Sequence, residues 1–332
     1  MTAARVSLPV GLVVLALVAA AMGSSFMPLD RVTAALFGQG SRADTVILWN
    51  IRLPRVTMAL LAGAGLGIAG MLLQRATRNP LASPGVLGIV DGAAVGVLLF
   101  LLLFSNEANV LTVSIVWQPV AAILGAVVFA LVVASLAARD DTRPMTLILY
   151  GISLAALANA IVVLLIIAGP VYRASQGLIW LAGSVQSAEW REVWMLATAL
   201  LVALPALVAL IRPLDQLHLD DLSAQATGLA VRRTRVATLT LSVLLTAAMV
   251  SIVGGIGFVG LIAPHAARLL FGTGAAWQLT GAALIGAGMV LMADLLVRVL
   301  FQPLEVPAGA VTALIGAPYF LFLLLRHGRA HA

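Results

Sequence analysis

The chain has 332 residues, 62% of them hydrophobic and 10% charged, with a formal net charge of +6. Ordinary soluble domains carry about 25% charged residues, and one core could not hide this much apolar surface, so a soluble enzyme, a disordered chain and a nucleic-acid-binding domain are excluded. The sequence pI of 11.1 does not restore the last of these, because the basic residues are scattered singly or in small groups with no long basic run.

A membrane-crossing helix uses about 20 mostly apolar residues, and the mean hydropathy of +1.11 agrees with a chain built mainly of such segments. Apolar runs predict ten spans, at about 7–28, 56–76, 86–104, 117–138, 144–168, 193–211, 234–253, 256–271, 279–300 and 307–325. The third and eighth are short or interrupted by glycine and proline. The expected architecture is an all-α integral membrane protein, with residues 1–332 as a single transmembrane domain. The first run also fits a cleaved signal peptide, with one early arginine, an apolar stretch and the small residues Ala19, Ala20, Ala21 and Gly23.

Loop charge favours a retained first helix. With ten spans and a cytoplasmic N-terminus, twelve arginines fall inside and seven outside, the bias expected of cytoplasmic loops. Both termini are then cytoplasmic. Four of the seven outer arginines, Arg31, Arg42, Arg52 and Arg55, lie in one segment. Arg52-x-x-Arg55-Val56 and Arg232-x-x-Arg235-Val236 open spans two and seven from opposite sides, a weak sign of an inverted repeat of the kind transporters use.

At 52–55 the chain reads Arg-Leu-Pro-Arg. Proline suits the first turn of a helix, and arginines three apart share a face. They either snorkel to the headgroups or form a docking point for an acidic partner. Gly63, Gly65, Gly67 and Gly70 follow in span two as packing positions. Residues 78–92, with Asn79, Pro80, Pro84 and three glycines, interrupt apolar sequence at the inner boundary. Freed backbone there must be buried or line a wet cavity, so this is a structural re-entrant turn or part of a transport path, with Asp91 near a membrane entrance.

The longest inner loop is expected at about 212–233. Within it Asp220, Asp221 or Ser223 could cap a short helix that Gly228 ends, either a connector or a docking surface. In span eight Pro264 should break or kink the helix, and His265 and Arg268 follow it. His265 is a structural residue or a ligand. Asp294 in span nine has Arg298 one turn later as the obvious partner. Pro318 interrupts span ten.

Catalysis has little support. The chain has no cysteine, hence no disulfide or thiolate site. It has no His-Glu-x-x-His zinc motif, and no lysine for a phosphate-binding loop, so any nucleotide hydrolysis belongs to another chain. An ion-coupled secondary transporter would need proton-loading groups within the membrane, and only Asp91 and Asp294 qualify. An intramembrane hydrolase lacks its catalytic groups.

Taken together the motifs are similar to those of the FecCD family of ABC importer permeases, which includes the iron–siderophore and cobalamin permeases. The matching stretches are RLPR at 52–55, GLGIAGMLLQ at 65–74, NPLASPGVLG at 79–88, WLAGS at 180–184, ATGL at 226–229, GFVGLIAPHAARLL at 257–270, the aspartate–arginine span at 293–298, EVPAGAVTALIGAPYF at 305–320 and the closing LLLR. They run in family order over nearly the whole chain beyond span one. NPLASPGVLG and WLAGS look closer to the siderophore and ferric-citrate branch than to the cobalamin branch.

The resemblance implies a type II importer permease of ten helices, paired with a second permease subunit, the same chain or a related one, in the bacterial inner membrane. Two cytoplasmic ABC ATPase subunits would bind ATP and magnesium. A periplasmic or lipid-anchored binding protein would deliver a ferric chelate; cobalamin or haem is the alternative cargo. This chain itself would hold no cofactor or metal and would not be an enzyme. Arg52, Arg55 and Arg298 map onto the family's docking arginines. The family's coupling helix maps onto roughly 217–229, within a segment at about 213–232 that includes Asp220, Asp221, Ala224, Thr227, Gly228 and Leu229. Asn79, Pro80, Asp91, Pro264, His265, Asp294 and Pro318 fall in pathway or structural motifs. Residues 271–278 lack the charges often found there and receive no role.

Overall fold

A computed structural model describes residues 2–23, 26–106, 110–137, 144–169, 171–301, 304 and 306–328, with side chains left aside at 2–3, 137, 144–145, 171–174 and 322–328. Three of the twelve inner arginines, Arg139, Arg143 and Arg329, and Glu305 of the EVPAG stretch lie outside the described residues. The elements in order are α1 (Thr2–Ala21), α2 (Leu29–Leu36), α3 (Arg42–Val46), α4 (Leu53–Thr77), α5 (Ile89–Leu103), α6 (Gln118–Ala137), α7 (Pro144–Ala168), α8 (Val171–Ala182), α9 (Trp190–Gln216), α10 (Asp221–Ala226), α11 (Val231–Val253), α12 (Val259–Phe271), α13 (Ala275–Leu300) and α14 (Ala308–Gly328).

Among the described residues seven helices are long and apolar enough to cross a membrane, and three shorter apolar helices, Ile89–Leu103, Val259–Phe271 and Ala308–Leu321, occupy the third, eighth and tenth predicted positions. Each of the ten predicted runs therefore contains an apolar helix. Large apolar side chains such as Leu164, Ile167, Leu201 and Val202 point outward, as on a surface whose solvent is lipid.

α4 is the central helix, buried along most of its length and packed on α9, α11, α12 and α13. Its glycines explain how. Gly63 and Gly286 face each other across the α4–α13 crossing, and Gly67 faces Ala282 one turn on, so that a Cβ at either Gly63 or Gly286 would run into the opposite backbone. Small residues four apart on both helices give this close approach without a hydrophobic drive. Replacing Gly286 with alanine should cost about 1–3 kcal/mol by forcing the helices apart, read as a lower unfolding temperature of the purified chain in detergent; an unchanged midpoint would show that the crossing has slack.

Several expectations need correction. Pro54 lies in the first turn of α4, as expected, but α4 does not begin at a free helix end. α3 runs into a wider turn at Ile47–Arg52, where Leu53 N–H bonds to Leu48 C=O five residues back, and α4 follows directly. Pro54 has no N–H for the Asn50 carbonyl, which removes the ordinary alternative. Pro264 does not break α12, and Pro318 does not interrupt α14. The carbonyl that Pro264 leaves free is that of Gly260, and it packs onto Gly70 of α4. The inner loop is shorter than expected because α9 continues through Pro213 to Gln216. α2, α3 and α8, which lie outside the ten predicted runs, are short helices.

Residues 79–88 re-enter the bundle. Pro84 reaches Gly260, which lies against Leu66 and Gly70, two turns inside α4. Asn79 Oδ1 accepts from Leu81 N–H at 2.9 Å and starts the turn, with Pro80 next in it. α5 then begins within the bundle, entered through Gly88 at φ 71, as α12 is entered through Phe258 at φ 64. The strained Phe258 is wedged against Gly316 of α14. Asp91 accordingly sits in the first turn of α5, half-buried and 3.4 Å from Asn159 Nδ2 of α7.

Candidate functional site

Two charged clusters lie at opposite ends of the bundle. At the end carrying α2 and α3, Asp294 is 1% exposed and receives two arginines. Arg55 reaches its Oδ1 at 2.7 and 2.8 Å, and Arg298 reaches its Oδ2 at 3.0 Å. The i,i+4 partner expected from sequence is present; Arg55, from α4, is an addition that spacing on one helix could not reveal.

Arg52 and Arg298 were expected to face outward toward a partner, and this is corrected. They are only 4% and 8% exposed because both turn onto the end of α1. Arg52 Nη1 donates to Ala20 O and Ala21 O at 2.8 and 2.7 Å, and Arg298 Nη1 donates to Ala19 O and Met22 O at 3.1 Å each. The last carbonyls of a helix lack intrahelical donors, and cations there complement its dipole. α1 has no basic residue in its last turn, so distant arginines serve. Arg52 also lies against Gly23, where a side chain would crowd its guanidinium. Of the three expected arginines, Arg55 keeps the most exposed side chain, at 14%.

Nearby, Asp44 pairs with Arg31, whose Nε donates at 3.1 Å; that carboxylate holds the Arg31 guanidinium above its ordinary value. Ser41 caps α3 through Asp44 N–H at 3.1 Å. Trp190 donates to Trp49 O at 2.7 Å, tying the start of α9 to this layer. Around Asp294 itself the three arginines Arg52, Arg55 and Arg298 face one carboxylate, a local excess of two formal positive charges.

At the other end α10 forms the short helix expected. Asp220 is its N-cap and accepts from Ser223 N–H at 2.9 Å; the hydroxyl and N–H of Ser223 hold its carboxyl below the usual range. Thr227 closes α10 with its hydroxyl on Ala224 O at 2.7 Å, and Gly228 at φ 85 turns the chain out, with Leu229 N–H on Ala224 O. Ala224 is buried, while Leu222 is 80% exposed.

Asp221 anchors this helix. It binds Arg78 at 2.6 Å from the end of α4 and Arg235 at 2.9 Å from the start of α11. Burial pushes its carboxyl up, but Arg235 and Arg78 outweigh that and hold it below the usual range. Arg78 Nε also donates to Leu217 O at 3.1 Å. Neither arginine was singled out from sequence as a partner, since nothing local places residues 78 and 235 beside 221. His265 is half-buried on α12, and Pro264 O accepts from Gln278 Nε2 at 3.5 Å. The structure brings together Arg52, Arg55, Asp294 and Arg298 at one end and Asp220 to Leu229 at the other; Asp91 joins neither cluster.

The sequence model of the FecCD transport family matches residues 11–326. The chain is 43% identical over 311 residues to the probable siderophore transport system permease protein YfhA of Bacillus subtilis (strain 168), covering 93% of this chain and 90% of that one. It is 40% identical over 327 residues to the achromobactin transport system permease protein CbrC of Dickeya dadantii (strain 3937), covering 98% and 92%. Among solved structures, an inward-facing conformation of a metal-chelate type ABC transporter superposes with a TM-score of 0.83 at 30% identity, covering 96% of this chain and 98% of that one.

Proposed function

The chain belongs to the FecCD transport family, and from that premise we propose that it moves a ferric siderophore across the bacterial inner membrane by alternating access. It is a multi-pass membrane permease subunit of an ABC importer for a siderophore, another iron chelate or haem, with the type II importer fold, and it is not itself an enzyme. The observation that carries the substrate proposal is the 43% identity, over nearly the full chain, to a siderophore permease.

In this reading two ATPase subunits bind ATP and magnesium in the cytoplasm and a second permease subunit completes the pathway. The α10 end is cytoplasmic and both termini lie there. α10 and its flanks, Asp220 to Leu229, act as the coupling helix, and the exposed Leu222 supports a contact with a soluble partner. A binding protein docks at the opposite end, supported by the excess of positive charge around Asp294. Charge complementarity of that kind mainly sets on-rate and specificity. Asp91 and Asn159 line or brace the route inside.

The test is uptake of iron-loaded chelates by proteoliposomes holding the whole transporter, over a panel of ferric siderophores, haem and cobalamin. Uptake that needs both ATP and the binding protein and prefers a ferric siderophore is expected. Uptake that persists without ATP but collapses with an ion gradient would instead make the chain a secondary transporter. Arg55→Gln leaves Asp294 paired with Arg298. It is expected to slow binding-protein association and flatten its salt dependence; kinetics identical to the parent across salt concentrations would remove Arg55 from the docking surface.

A further inference from the structure

The α10 end holds a second feature beside the Asp221 pairs. A cavity of about 250 Å³ lies between the end of α4, the α12–α13 connection and the residues entering α10, lined by Gln74, Arg75, Arg78, His218, Arg268 and Thr273 among others, none of them a carboxylate. Arg75 is 7% exposed, and its acceptors are neutral: Gln278 Oε1 at 2.9 and 2.6 Å, Leu214 O at 3.3 Å, and Thr273 O. Arg268 donates to another neutral group, Gln74 Oε1, at 3.2 Å. Asp215 acts on Arg75, but its Oδ1 is engaged by Ala275 N–H at 2.7 Å in the first turn of α13. Asp221 holds Arg78 from outside the cavity. Burying guanidinium groups against neutral acceptors is costly, and an anion in the cavity would offset that cost.

The depth of the cavity identifies the anion. Thr273 of its wall belongs to the 271–278 stretch, for which the sequence offered no role. There Trp277 is partly exposed, stacked on Phe271 at 6.4 Å, with Arg5 over its ring at 3.9 Å. Tryptophan with a snorkelling arginine marks the headgroup layer, and Leu269 and Leu270 beside Arg268 are exposed to the apolar side. His218 is held below its ordinary value by burial and then by Arg75, Arg268 and Arg78.

We propose that this cavity binds the phosphate of an anionic phospholipid headgroup, held by Arg268, Arg75 and Arg78. Basic pockets between membrane helices suit such headgroups. The occupied site would brace the α12–α13 connection against the segment entering α10. The inference depends on the membrane setting alone and stands or falls separately from the substrate. The experiment is native mass spectrometry of the purified full chain titrated with phosphatidylglycerol, phosphatidylcholine or inorganic phosphate.

Phosphatidylglycerol is expected to bind roughly tenfold more tightly than phosphatidylcholine. Arg268→Gln should abolish that preference while leaving the unfolding temperature in phosphatidylcholine unchanged, and Arg233→Gln, on the exposed start of α11, should retain it. If Arg268→Gln does not fold, Arg78→Gln supplies the same comparison. Equal affinity for the two lipids, or a preference that survives both substitutions, would overturn the proposal. So would saturation by millimolar inorganic phosphate with no lipid preference, which would mark a free-phosphate site, or loss of the preference once the ATPase subunits assemble, which would mark a contact for acidic protein side chains.

Discussion

Replacing Asp294 with alanine is expected to destabilise the chain by about 3–5 kcal/mol, the range for removing one partner of a buried ion pair. The loss has an identifiable source. Asp294 is the carboxylate between Arg55 and Arg298, and the Arg298 guanidinium is itself buried against the end of α1. Without Asp294 these charges face carbonyl dipoles and one another. The damage should therefore spread to α1, whose C-terminal carbonyls depend on Arg52 and Arg298. The measurement is a thermal melt of the purified protein in detergent, with hydrogen exchange on Ala19 to Met22. Faster exchange there together with a much lower midpoint is the expected pair of results. Arg31→Gln serves as the contrast: the Arg31 side chain is more than half exposed although Asp44 beneath it is at 7%, so its removal should cost less than that of Asp294, which is buried between two arginines. If the Asp294 and Arg31 variants melt alike, the cluster is not a structural clasp.

The same cluster shows how far sequence could be read. Asp294 and Arg298 are one turn apart on one helix, so helical spacing alone pairs them. Arg55 is 239 positions away along the chain, and it arrives only because Gly63 and Gly67 let α4 lie against α13. The glycines were legible as packing positions; what they brought together was not. Likewise Asp220 and Gly228 marked the ends of α10 through cap chemistry that acts within a few residues. The anchoring of α10 by Arg78 and Arg235 is tertiary and left no local sign. Neither Pro264 nor Pro318 ends its helix, for a related reason. The carbonyl that Pro264 frees, that of Gly260, packs onto Gly70 of α4, and that compensation belongs to the bundle. α2, α3 and α8 were missed because they are too short to register as membrane-crossing apolar runs.

Replacing Asp221 with alanine is expected to separate ATP hydrolysis from transport. One carboxylate holds α10 to two helices, through Arg78 at the end of α4 and Arg235 at the start of α11. α4 in turn packs along α13 and α11. If α10 receives the ATPase stroke, this is the rigid link through which α4 and α11 would move. The N-cap at Asp220 and the exposed Leu222 are untouched by the substitution, so α10 should still form and the ATPase subunits should still bind. Because Asp221 is partly exposed, with 44% of its side chain accessible, overall stability should change little. The expected result in proteoliposomes is ATPase activity near the parent level with uptake reduced at least about tenfold, since conformational coupling of about 1–3 kcal/mol corresponds to roughly 5–150-fold. Arg78→Gln and Arg235→Gln should each give a smaller defect, because each leaves Asp221 one arginine. Combined with Asp221→Ala, neither should add much, as expected for groups that act as one unit. A proportional fall of hydrolysis and uptake would point to lost assembly, and normal uptake would show that the stroke reaches the membrane helices by another route.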